Sequence, residues 1–228
     1  MVIGETFAWA HLPKTGGDAT ARMFAIVDHL VVEADPSGSH RKHETFDGRQ
    51  HRTGTDLIAR RQRLLNIRRL PSWVMSSVNH QDQHYAVPVD RELVRRGMVR
   101  SRAPLGRAHR WLRPRGVAVA AYRLLGREET VSADTVLSRH LCGRIDHWLR
   151  QEHLAEDFVR VVGGFGTITS EQADRIARLG SVNANCYDRD LVLTLDVAEV
   201  EAMYRANPRW AEVERAVYGD TLAERGGP

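Results

Sequence analysis

The residues best suited to chemistry stand at the end of an apolar segment near the N-terminus. Glu5-Thr-Phe-Ala-Trp-Ala-His-Leu12 reads as a buried strand and gives way to Pro13-Lys14-Thr15-Gly16-Gly17. From Asp18 onward Ala19, Met23, Ile26, Val27 and Leu30 recur at helical spacing. Small residues at a strand-to-helix turn let backbone N–H groups converge on an anion, and the helix N-terminus adds its dipole. Lys14 supplies a mobile point charge, and Thr15 and Thr20 supply hydroxyl donors. The G-x-x-x-x-G-K-[ST] order of a Walker A loop is absent, because the lysine precedes the glycines. Taken alone, the same residues also fit an ordinary Gly-rich turn.

Composition singles out that lysine. Of 33 basic residues, 31 are Arg and only Lys14 and Lys42 are Lys, so the compact ammonium is the exception in this chain. The 228 residues carry a formal charge of +4, unevenly spread. Residues 81–130 hold 11 basic and 5 acidic groups, whereas residues 131–228 hold 11 and 16. At 42% apolar the chain can bury a core, which excludes disorder and fibrous repeats. No run approaches the roughly 18 apolar residues of a membrane span. Cys142 and Cys186 give neither a disulfide framework nor a metal spacing, so no metal is expected. The N-terminus lacks a basic n-region, and the expectation is a soluble cytoplasmic protein with no secretory signal.

The elements that must position the loop alternate. A second strand is expected over Val31–Ala34 and a loop over 39–54. A helix follows over Thr55–Arg63, then a short strand over Leu64–Arg68 and a helix from Ser72 to His80. That order implies an α/β fold with a central parallel sheet flanked by helices. Residues 85–135 read as an Arg-rich insert or cap, and 136–220 as a mainly helical part, within a single domain over 1–228. Leu137, Leu141, Ile145, Trp148 and Leu149 form an apolar helical stripe. Thr169 with Gln172 predicts a capping box, and Asn207-Pro208 a cap and first-turn proline for a helix ending at Gly219.

The order His11-Leu-Pro-Lys-Thr-Gly-Gly17 with Thr20 resembles the 5′-phosphosulfate loop of the sulfotransferases. The nearest match is the branch of Golgi carbohydrate sulfotransferases, where the loop reads His-x-Pro-Lys-Thr-Gly-Gly-Thr. The family's second signature, Arg-x-Pro with Ser eight positions after the Arg, is matched by Arg69-Leu70-Pro71 and Ser77. A looser likeness covers Arg150 to Phe158 and Asn207 to Gly219. The resemblance implies a P-loop-NTPase-like fold and 3′-phosphoadenosine 5′-phosphosulfate (PAPS) as co-substrate, with 3′-phosphoadenosine 5′-phosphate (PAP) as product. Sulfuryl transfer would go to a hydroxyl or amine of a carbohydrate, glycolipid or small metabolite, an anionic acceptor included. Lys14, Thr15, Gly16, Gly17, Asp18, Ala19 and Thr20 then take the 5′-phosphosulfate, and Arg69 and Ser77 the 3′-phosphate. Asp18 departs from the family, which carries Thr or Ser there.

Lys14 is the catalytic cation of that reading, stabilising the leaving oxygen. The acceptor also needs a general base, and relatives place theirs between the two donor motifs. His43 ranks first there, His51 second, and Glu44 is the alternative. His140, His147 and His153 read as residues of helical surfaces. Asn183, Asn185 and Tyr187 are weaker candidates for contacts to the donor. The Arg-rich stretch reads as a solvated helix pair, with a cap attracting an anionic acceptor or a basic membrane-surface helix as other readings. No nucleic-acid partner is expected, and a homodimer is left open. The competing class is an inactive nucleotide- or nucleic-acid-binding protein that keeps the loop.

Overall fold

The computed structural model describes residues 1–36, 39, 41–54, 58–85, 89–102, 128–141, 143–179 and 195–226. Cys142, Cys186, Asn183, Asn185, Tyr187 and most of the Arg-rich stretch lie outside the described residues. The chain divides into two compact units, residues 1–68 with 137–184 and residues 69–136 with 185–228. The division falls between Arg68 and Arg69, so the two expected donor motifs belong to different units.

The first unit is built on strands β1 (Val2–Ile3), β2 (Phe7–Ala10), β3 (Glu33–Ala34), β4 (Gln62–Ile67) and β7 (His147–Arg150). They form one sheet in the order β3-β1-β2-β4-β7. β2, β4 and β7 run parallel, whereas β1 is antiparallel to both neighbours, so the sheet is mixed rather than parallel. The three residues between Ile3 and Phe7 are too few for a crossover and force that hairpin. Helices α1 (Gly17–Ile26), α2 (Phe46–Thr53), α6 (Leu154–Val162) and α7 (Ser170–Ala177) belong to the same unit. Phe7, Trp9, Phe24, Leu64, Leu149 and Phe158 close its core, with Phe24 edge-on to Phe158 at 4.8 Å between ring centres.

Two local expectations fail for instructive reasons. The segment 39–54 contains α2, because Thr45 caps the Gly48 N–H and Gly54 ends the helix at φ 62°. Its polar sequence hides the periodicity, and only Phe46 and Arg49 are buried. Trp148 and Leu149 lie on β7 rather than on a helix, since a short apolar run has no period of its own and here pairs with Leu65 and Asn66. Likewise Gln62 and Arg63 belong to β4 and residues 58–60 form a turn, so the described part of the expected helix over 55–63 is not helical, and residues 55–57 lie outside the described residues. The Thr169–Gln172 capping box forms as expected.

The second unit holds α3 (Leu70–Tyr85), α4 (Arg91–Arg95), the antiparallel pair β5 (Met98–Arg102) and β6 (Glu128–Ser132), α8 (Val197–Ala206) and α9 (Pro208–Tyr218). Helix α5 (Ala133–His140) carries the chain back to the first. Trp73 and Trp210 pack at 4.9 Å in its core. Pro208 takes the first turn of α9, but Asn207 does not cap it. Instead the Asp134 carboxylate accepts from the Arg209 and Trp210 N–H groups, and the Asn207 amide donates to the Arg96 and Met203 carbonyls. No helix among the described residues is long and apolar enough to cross a membrane.

Candidate functional site

The loop after β2 has an unusual backbone. Lys14 sits at φ 67°, the single non-glycine residue with positive φ among those described, and Gly16 follows at 88°. A left-handed conformation costs a lysine about 1–2 kcal/mol, and such strain persists where surrounding contacts enforce it. Here Asn66 on β4 supplies them. Its amide donates to the Thr15 carbonyl at 3.0 Å and to Thr20 Oγ1 at 2.8 Å, while its oxygen accepts from Trp9 Nε1 at 2.6 Å. A Cβ on Gly17 would lie 2.0 Å from the His11 ring, so glycine there lets the imidazole lie over the helix start.

The loop presents backbone rather than hydroxyls. Thr15 Oγ1 donates to the Leu12 carbonyl at 2.7 Å and Thr20 Oγ1 to that of Gly16 at 3.2 Å, and both residues are fully buried. Gly16 is the N-cap of α1 and offers no side-chain oxygen. The first turn of α1 therefore makes no hydrogen bond to the side chain of its cap residue.

Three cations gather round this turn. Burial, the nearby Lys42 and Arg68 lower the Lys14 pKa to about 8, against the opposing pull of Asp18. Arg68 Nη1 also reaches the Lys14 carbonyl at 3.5 Å. Asp18 pairs with Lys42. The carboxylate that departs from the expected loop pattern thus has its own counter-ion.

The base candidates separate clearly. His43 packs on His11 with ring centres 4.5 Å apart and remains exposed as a residue. Its Nδ1–H donates to the His11 carbonyl at 3.3 Å, which leaves Nε2 with the basic lone pair. Desolvation of the inner face, and Lys42 beside it, lower its pKa to about 4 despite the hydrogen bond. His51 is exposed on α2. Glu44 is held by Arg52 and Arg49, each with Nε at 2.7 Å, and its pKa is lowered to about 2, chiefly by the Arg52 hydrogen bond. Arg49 in turn is buried and also meets Glu33 and Asp35, so this cluster holds α2 and β3 together. His140, expected on a surface, is buried at the end of α5.

The second motif expected to hold the donor has a different character. Arg69 is buried, with Nη1 at 3.0 Å from Glu214 Oε1 and Nη2 at 2.8 Å from Asp220 Oδ1. Its guanidinium carbon also lies 4.1 Å from the centre of the Tyr218 ring. Glu214 is fully enclosed and takes further hydrogen bonds from Tyr204 Oη and the Leu70 N–H. Ser77 is buried in α3, where its hydroxyl donates to the Trp73 carbonyl.

Sequence reasoning missed Asn66 and Glu214. Asn66 carried a signal, a lone amide within the apolar run Leu64-Leu65-Asn66-Ile67. No group of three or more His, Cys, Asp or Glu among the described residues is arranged to hold a metal ion. No protein-family model, no curated protein and no solved structure matches this chain.

Proposed function

We propose that the chain is a sulfotransferase that takes PAPS on the turn 13–20 and moves its sulfuryl group to an acceptor hydroxyl or amine. The observation that carries the reading is the strained Lys14 beside an uncapped helix N-terminus, with Lys42 and Arg68 near it. Backbone N–H groups at fixed positions suit the tetrahedral oxygens of a phosphosulfate. In the reaction the acceptor oxygen or nitrogen bonds to sulfur while the sulfur–oxygen bond to the 5′-phosphate breaks. The acceptor proton passes to a base, His43 Nε2 being the first candidate, and the bridging oxygen leaves with PAP and the bonding electron pair. The Lys14 ammonium stabilises that oxygen as its charge develops.

Titration calorimetry with PAP tests the donor site, and PAP release from PAPS that depends on an added acceptor tests the transfer. Lys14→Ala is expected to lower kcat by about 100- to 1,000-fold and PAP affinity much less. In the unchanged chain the Lys14 contribution fades as pH rises through about 8, where the ammonium is lost. No PAP heat at about 1 mM would overturn the donor site. Equal losses in kcat and affinity would make Lys14 a binding group only.

One observation favours a second reading, nucleotide binding without transfer. The Arg69 guanidinium assigned to the 3′-phosphate is already matched by Glu214 and Asp220. PAP binding with no turnover of PAPS across hydroxyl and amine acceptors would select it.

A further inference from the structure

A cavity of about 410 Å³ opens in the first unit along one face of α1. Asp18, Ala21, Arg22 and Ala25 line it, and their spacing of three, four and seven residues places them on a single helical stripe. The lining also includes Met1, Val2, Trp9 and Pro36 with the His11 ring, and Asp35, which the Met1 ammonium meets at 2.8 Å. The Asp18 end is charged, because Lys42 lines it too and pairs with Asp18 there. One turn further along α1 stands Arg22, exposed, with no carboxylate within ion-pair distance among the described residues. The other lining acid, Asp35, is bound by Arg49.

We infer that this cavity binds a flat, ring-bearing small molecule with a hydroxyl at one end and an anionic group at the other. The ring fills the apolar space between Trp9 and the small side chains of Ala21 and Ala25. The anion meets Arg22, and the hydroxyl donates to the Asp18 carboxylate. A cavity of this size and mixed lining suits a molecule smaller than a typical drug. As an acceptor site the cavity rests on the sulfuryl-transfer reading, since its Asp18 end adjoins the turn that would hold the donor. As a binding site it does not.

The test uses 6-hydroxy-2-naphthoate, with 2-naphthol and 2-naphthoate as probes lacking one end each, in calorimetric titrations of the full chain without donor. The two-ended probe is expected to bind at least about fivefold more tightly than either one-ended probe. Arg22→Ala should remove its advantage over 2-naphthol, and Asp18→Ala its advantage over 2-naphthoate. Ala25→Trp, a change at an exposed helical position, should block all three probes and leave PAP binding intact. No heat at about 5 mM probe, or binding that Ala25→Trp leaves unchanged, overturns the cavity. Probe binding in a chain that ignores PAP supports the cavity and removes only its role as an acceptor site.

Discussion

Two basic residues follow parallel strands in this chain and meet opposite electrostatic fates. Lys14 follows β2 on a strained turn, near two further cations, with its neighbouring carboxylate Asp18 already paired to Lys42. Arg69 follows β4 and is enclosed by Glu214, Asp220 and the face of Tyr218. Burial lowers the Lys14 pKa, whereas the surrounding carboxylates hold the Arg69 guanidinium charged against the same burial. One cation has an excess of positive neighbours and is poised for an anion from outside. The other has its anion built in. A strand-end cation is open to an external anion only where the fold withholds the counter-ion.

The largest expected effect breaks the contrast directly. Arg69→Ala leaves Glu214 buried without its cation, and should cost about 3–5 kcal/mol of unfolding free energy. Lys14→Ala should stay within about 1 kcal/mol. Urea denaturation measures both, and equal losses would show that the two cations are alike. A middle effect concerns His11, buried with its pKa lowered to about 2, first by desolvation and then by His43. Below the ordinary value of 6.5 the unfolded chain binds a proton that the folded chain refuses. Stability should therefore be full above pH 6.5 and fall as pH drops, by up to about 1.4 kcal/mol per pH unit. His11→Gln should flatten that slope. The smallest effect sharpens the charge argument at the turn. Asp18→Asn removes the Lys42 partner and should raise PAP affinity about two- to fivefold, less at high salt. Unchanged affinity would show that Lys42 is not held back from the anion by Asp18.

What was legible in the sequence is what neighbouring residues decide among themselves. The β2–turn–α1 unit, the Thr169–Gln172 box, the proline opening α9 and its stop at Gly219, with φ 87°, all form as the residue types predict. Cap and turn chemistry works over one to four residues, and no distant partner needs to agree. β7 and α2 were not legible, since one takes its conformation from pairing with β4 and the other buries only two residues. Asp134 as the group that caps α9 was equally hidden, lying more than seventy positions upstream of the N–H groups it accepts from.

By itself the sequence determined the turn 13–17, its lone lysine and the small residues that free its backbone, because local sterics settle those. Only the tertiary structure decided which carboxylates reach which cations. Glu214 lies 145 positions from Arg69 in the chain, and at such a separation folding alone brings two charges within contact. The same holds for Asn66, which pins the Thr15 carbonyl from 51 positions away, and for the cavity along α1. Motif and spacing named the groups, and long-range packing set the charge each of them faces.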